Sequence, residues 1–152
     1  MRARRTFLAL ATVAGLVTLG SSQAAALLKA QFFAVLSGGN EVSAAGQAAA
    51  GDPDGYGTAS VLVVGNDRIC VSALVNRLDK PTAAHIHEGP AGRNGPIVVP
   101  FTPPATGNPG TTTACVTVSA AVLGRLHATP TGFYINVHTA KFPDGAVRGQ
   151  LF

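Results

Sequence analysis

The sequence predicts an all-β domain, an antiparallel sandwich or barrel of about eight strands with one short helix. Three observations predict this fold class. The 152-residue chain contains 18 Gly and 10 Pro, which favours short strands joined by turns. Its apolar residues alternate with polar ones over short stretches, the period of a half-buried strand. Its length suits one domain with a sizeable core, and neither a repeat nor a linker divides it.

The predicted elements follow the alternation along the chain. Strands are predicted at residues 30–36, 57–64, 68–75, 83–88, 97–101, 113–118, 132–139 and 146–152. Residues 65–67 (Gly-Asn-Asp) predict a hairpin between the second and third strands. Ser119 is a suitable N-cap for a short helix over 120–127. Turn-rich loops are predicted at 40–56, 89–96 and 103–112, because Gly, Pro and small residues dominate there.

Residues 1–26 have the three parts of a secretory signal peptide. Three arginines in the first five residues precede an apolar run at 7–20, and three alanines at 24–26 offer a cleavage site. We expect cleavage after Ala26, which leaves a mature domain at 27–152 in a secreted or periplasmic location. Arg4-Arg5 also fits a twin-arginine signal, although we favour the general secretory route. An uncleaved anchor is the remaining alternative, but the apolar run is short for a membrane span.

The formal net charge of +4 comes mainly from the predicted signal. Removal of its three arginines leaves eight Lys and Arg against seven Asp and Glu. The mature chain then has no basic stripe, and with two Tyr and no Trp it offers few stacking platforms. We therefore expect no nucleic-acid partner.

Cys70 and Cys115 are the two cysteines of the chain. An even number in an exported domain favours a disulfide. Each lies on a predicted strand and points away from the aliphatic face of that strand, so two paired strands could join them. The alternative is a pair of separate buried thiols.

Three motifs resemble those of the CHRD domain, the module named for chordin, a secreted antagonist of bone morphogenetic proteins. They are residues 33–42 (FAVLSGGNEV), 84–96 (AHIHEGPAGRNGP) and 134–151 (YINVHTAKFPDGAVRGQL). The resemblance covers about residues 30–152. It departs at Ser43-Ala44, where the family often has prolines. It implies a β-sandwich, immunoglobulin-like or superoxide-dismutase-like, in an extracellular setting, but no settled biochemical activity.

His85, His87 and His138 are the sharpest chemical feature of the sequence. Strand alternation places all three off the aliphatic faces of their strands, with Glu88 or Asn136 expected nearby. If the strands are neighbours, the imidazoles converge, and three nitrogen donors suit copper or zinc. His-x-His on a strand also resembles the metal strand of copper–zinc superoxide dismutases, although the rest of that pattern is missing. The alternative is that these histidines hydrogen-bond the loop at 89–96.

The predicted function is that of a secreted, non-catalytic binding or structural module, and the partner would be an extracellular protein or envelope component. The alternative is a copper- or zinc-binding protein with a superoxide-related role. Glu41 and Glu88 are the only glutamates, and nothing in the sequence brings them together as the acid–base pair of a glycosidase. Arg148 is expected to pair locally with Asp144 or a backbone carbonyl. We expect no membrane span in the mature chain.

Overall fold

The computed structural model describes residues 31–152, so the predicted signal at 1–26 lies outside the described residues. The chain forms eight strands and one α-helix over this range. They are β1 (Gln31–Ser37), β2 (Tyr56–Val64), β3 (Arg68–Asn76), β4 (Pro81–Glu88), β5 (Ile97–Phe101), β6 (Gly110–Thr117), α1 (Ala120–Ala128), β7 (Phe133–Thr139) and β8 (Val147–Gln150). Short 3-10 turns at Gly38–Asn40 and Pro130–Gly132 precede the first long loop and β7. The all-β prediction with about eight strands and one helix is confirmed.

The eight strands form one antiparallel sheet in the order β5-β4-β7-β8-β1-β2-β3-β6. Its two outer strands lie against each other, and the Thr112 hydroxyl donates to the carbonyl of Thr102 at 2.9 Å. The sheet is therefore nearly closed into a barrel. The chain does not form the expected sandwich of two packed sheets. Its strands belong to one sheet, and the right-handed twist curls this sheet until its edges meet.

The core lies inside this curled sheet, and strand alternation builds it. In β1 the side chains of Phe32, Ala34 and Leu36 are buried, while Phe33 and Val35 are exposed. The same two-residue period continues through β2 and β3. The alternation that predicted the strands therefore also separates an aliphatic inner face from a mixed outer face.

The helix α1 begins at the predicted cap, where the backbone NH of Val122 donates to the Ser119 hydroxyl at 3.3 Å. Leu123 and Leu126 bury the apolar side of α1 in the core. The ring of His127 lies 5.7 Å from that of Phe32. Within the described part of the chain, no helix is long and apolar enough to cross a membrane.

Cys70 and Cys115 form a disulfide with an S–S distance of 1.99 Å. The two residues lie directly opposite each other in the register of β3 and β6, on the outer face, as their positions in the alternation predict. The bond fastens the outermost strand β6 to the body of the sheet. The predicted disulfide is confirmed.

Candidate metal centre

The candidate site lies on the outer face of β4, β7 and β8, where their polar side chains form rows. Across β4 and β7, the register pairs His85 with Asn136, His87 with Tyr134 and Ala83 with His138. His138 is therefore the diagonal neighbour of His85, and such a pair is close enough for long side chains to meet. Antiparallel pairing of β4 with β7, two strands distant in sequence, is what brings the three histidines together.

One ring nitrogen from each histidine lies within 4.8 Å of the other two. The shortest separation is 3.1 Å, between His85 Nδ1 and His138 Nε2. Zinc–imidazole bonds of about 2.0–2.1 Å require the donor nitrogens to lie within about 4.2 Å of one another. Side-chain movements of less than about 1 Å therefore suffice to place all three around one ion.

Two backbone carbonyls fix the orientation of two of these rings. His87 Nδ1 lies 2.9 Å from the carbonyl oxygen of Gly95, and His138 Nδ1 lies 2.9 Å from that of Pro143. A carbonyl can only accept, so each Nδ1 carries the proton and donates it, which leaves an Nε2 lone pair on each ring. This outer hydrogen bond is the usual support of a metal-binding imidazole. The alternative, that a histidine hydrogen-bonds the loop at 89–96, is met by the Nδ1 edge of His87.

Burial keeps the three imidazoles neutral. It lowers the pKa of His85 from 6.5 to about 4, with further lowering from the neighbouring His138 and His87. Burial also lowers the pKa of His87 and that of His138, against smaller raising effects from their carbonyl partners. At neutral pH all three rings therefore offer lone pairs, the form that binds metals.

A buried arginine supports the histidine face from the β8 side. Arg148 is 1% exposed, and its guanidinium lies 3.3 Å from the centroid of the Tyr134 ring. The Tyr134 ring also stacks with the His87 imidazole, with 4.7 Å between the ring centroids and an interplanar angle of 8°. Arg148 donates to the carbonyls of Arg93 at 2.6 Å and Pro90 at 3.2 Å. Arg148 therefore pairs with backbone carbonyls, as one of the two expectations has it, but these carbonyls belong to the distant loop at 89–96, so the expected local pairing is wrong.

Sequence reasoning missed the role of Glu41, which lies in the segment at 40–56 that was predicted only as a loop of small and polar residues. Its side chain is 2% exposed, and burial raises the pKa of this carboxyl from 4.5 to about 7, against lowering by Arg148. Gly145, with a φ of 141°, packs its backbone so closely on the carboxylate that a Cβ there would collide with it. The Asn136 side chain is a near neighbour of both groups, since it lowers the pKa of Glu41 and raises that of His87. The signal available in the sequence was the acidic residue within the 33–42 motif.

Glu88 and His127 do not join the cluster. Glu88 points away from its neighbour His87 along β4 and forms a two-pronged ion pair with Arg125 of α1, at 2.8 and 3.0 Å. His127 packs near Phe32 instead. The expectation of a carboxylate beside the imidazoles is therefore not met by Glu88, because adjacent strand residues point to opposite faces.

Replacement of Glu88 by Gln should have small effects, because the ion pair with Arg125 is largely solvent-exposed. We expect the free energy of unfolding to fall by less than about 1 kcal/mol. If the three imidazoles bind zinc or copper, the affinity should stay within twofold of wild type. Denaturant titration and metal titration check the two expectations, and a large loss of metal affinity would show that the carboxylate reaches the imidazoles.

The fold and the site together define a nearly closed antiparallel β-domain that carries a histidine cluster on its outer face. The family model of the CHRD domain matches residues 32–151, and the chain belongs to this family. A comparison with curated proteins found no similar sequence.

Proposed function

We propose that this protein is a secreted, non-catalytic CHRD-domain protein that binds one copper or zinc ion through His85, His87 and His138. The observation that carries the proposal is the convergence of three ring nitrogens within 4.8 Å of one another. Neutral imidazoles are donors of intermediate softness, which suit zinc and copper better than magnesium or calcium.

The support behind the rings argues for a binding site over a chance cluster. Two Nδ1 atoms are already committed to carbonyls, so both Nε2 atoms present lone pairs towards the cluster. His85 Nδ1 donates to one of them, His138 Nε2, at 3.1 Å. Metal binding needs only a shift of this proton to Nε2 of His85, after which all three nitrogens can bind the ion.

The secreted location is supported by the disulfide of Cys70 with Cys115, since such bonds persist in oxidising compartments. It agrees with the signal expected at residues 1–26. The non-catalytic role is supported by how the two glutamates are used. Glu88 is held in its ion pair with Arg125, and Glu41 is enclosed beneath the loops, so they do not form an acid–base pair.

Metal retention by matched variants tests the proposed function. The mature domain without an affinity tag is loaded with zinc or copper, dialysed and analysed for bound metal. We expect close to one ion per chain for wild type and for His127→Gln, a control that alters a histidine outside the cluster. The triple variant His85→Ala, His87→Ala, His138→Ala should retain none. Equal retention by wild type and the triple variant would refute the proposal.

A further inference from the structure

Asn136 occupies the centre of the histidine cluster. It lies directly opposite His85 in the register of β4 and β7, and it shares the outer face of β7 with His138, two residues further on. Its side chain also lies beside the His87 imidazole. Asn136 is 3% exposed, and its Oδ1 has no hydrogen-bond partner among residues 31–152.

The neighbouring His87 Nε2 is also buried and without a partner in the described part of the chain. Because His87 Nδ1 donates to Gly95, Nε2 has a lone pair and no proton. Two acceptors thus lie close together without a donor between them. A buried acceptor without a partner is unfavourable, so two of them side by side favour a third group that binds both.

A metal ion resolves this conflict, since it accepts electron pairs from both atoms. With His85 and His138 the site then has three nitrogens and one oxygen, the number of donors that a tetrahedral zinc site requires. We infer that the side-chain oxygen of Asn136 is the fourth ligand of the site, and that the site selects a divalent ion, Zn²⁺ or Cu²⁺, over Cu⁺. This inference rests on the proposed function.

The selectivity follows from the chemistry of the oxygen donor. An amide oxygen is a hard ligand that suits divalent ions, whereas Cu⁺ prefers soft sulfur ligands. Loss of the oxygen should therefore weaken Zn²⁺ and Cu²⁺ while leaving Cu⁺ bound by the imidazoles. A merely structural Asn136 would instead affect every metal alike, because all of them use the same three rings.

The test compares metal affinities of Asn136→Ala and of the double variant Asn136→Asp, Glu41→Gln with those of wild type, by competition with chelators for Zn²⁺, Cu²⁺ and, under reducing conditions, Cu⁺. We expect Asn136→Ala to weaken Zn²⁺ and Cu²⁺ about 10- to 100-fold and to leave Cu⁺ within threefold. The double variant Asn136→Asp, Glu41→Gln keeps an oxygen donor at 136 and removes the neighbouring carboxyl, so it should bind Zn²⁺ at least as tightly as wild type. Asn40→Ala removes an exposed amide that donates to the Arg148 carbonyl, and it serves as the control with unchanged affinities.

The outcomes separate this inference from the proposed function. If Asn136→Ala leaves Zn²⁺ and Cu²⁺ unchanged, or weakens Cu⁺ by the same factor, Asn136 is not a ligand although the histidine site stands. If Asn136→Ala does not fold, the double variant Asn136→Asp, Glu41→Gln decides, because a loss of Zn²⁺ affinity in that variant contradicts an oxygen ligand. If wild type retains no more metal than the triple histidine variant, the proposed function itself fails.

Discussion

Arg148→Met should lower the free energy of unfolding by about 3–5 kcal/mol, a large part of the stability of a domain of this size. Arg148 is 1% exposed, so its charge lies inside the protein, and its guanidinium donates three hydrogen bonds there. Methionine keeps most of the volume of the side chain but offers no donor. The loss of stability therefore reports mainly on the polar contacts of Arg148, and only to a small extent on a cavity left by the substitution.

Three separate contributions make up this loss. The carbonyls of Pro90 and Arg93 and the side-chain oxygen of Asn94 lose the guanidinium as their donor, and hydrogen bonds from charged groups contribute about 1.5–3 kcal/mol each. Water replaces part of this contribution, because these three residues lie in an exposed loop. The cation–π contact with Tyr134 is lost as well, which contributes up to about 2 kcal/mol when desolvated. Arg148 also lowers the pKa of Glu41, so its removal leaves that carboxyl without its main favourable charge.

Denaturant unfolding followed by circular dichroism measures the effect, with Arg125→Met as the matched control. Arg125 makes its ion pair at the surface, so that variant should lose less than about 1 kcal/mol. Similar losses for the two variants would contradict the view that the guanidinium of Arg148 holds the loop at 89–96 in place.

The sequence could predict the strands because alternation is a local property. The spacing of Ile69, Val71 and Ala73 identifies the inner face of β3 without knowledge of its neighbours, and it puts Cys70 on the outer face. The same reasoning places His85, His87 and His138 off the aliphatic faces. Side-chain direction therefore follows from the sequence wherever the period of two is kept.

The pairing of strands is a property of the whole sheet, and the sequence could not supply it. Nothing local states that β4 pairs with β7, nor that one sheet curls on itself in place of two sheets that pack. The stack of Arg148, Tyr134 and His87 depends on three strands from distant parts of the chain. Glu41 was missed for the same reason, because a loop residue becomes buried only when the loops fold over the sheet.

Glu41→Gln should stabilise the protein at alkaline pH, with an effect that depends on pH. The carboxyl has a pKa of about 7 in the folded chain against 4.5 as its ordinary value, and burial is the main cause. Arg148 opposes this rise in pKa, and Asp144 adds to it. Because the folded state holds the proton more tightly, the contribution of this group to stability is fully present below pH 4.5. It is lost as the pH rises through 7.

Glutamine mimics the protonated carboxyl, so the stability of Glu41→Gln should not carry this loss. Relative to wild type, the variant should gain about 2–3 kcal/mol in free energy of unfolding between pH 5 and pH 8. The lowered histidine pKa values also make stability depend on pH, in the opposite direction, but they are common to both proteins and cancel in the difference. Denaturant titrations in the presence of a chelator at both pH values measure the gain. As a control, Glu88→Gln should show no comparable trend. The interpretation is contradicted if Glu41→Gln and wild type differ in free energy of unfolding by the same amount at pH 5 and pH 8, because the Glu41 carboxyl would then not ionise between these pH values.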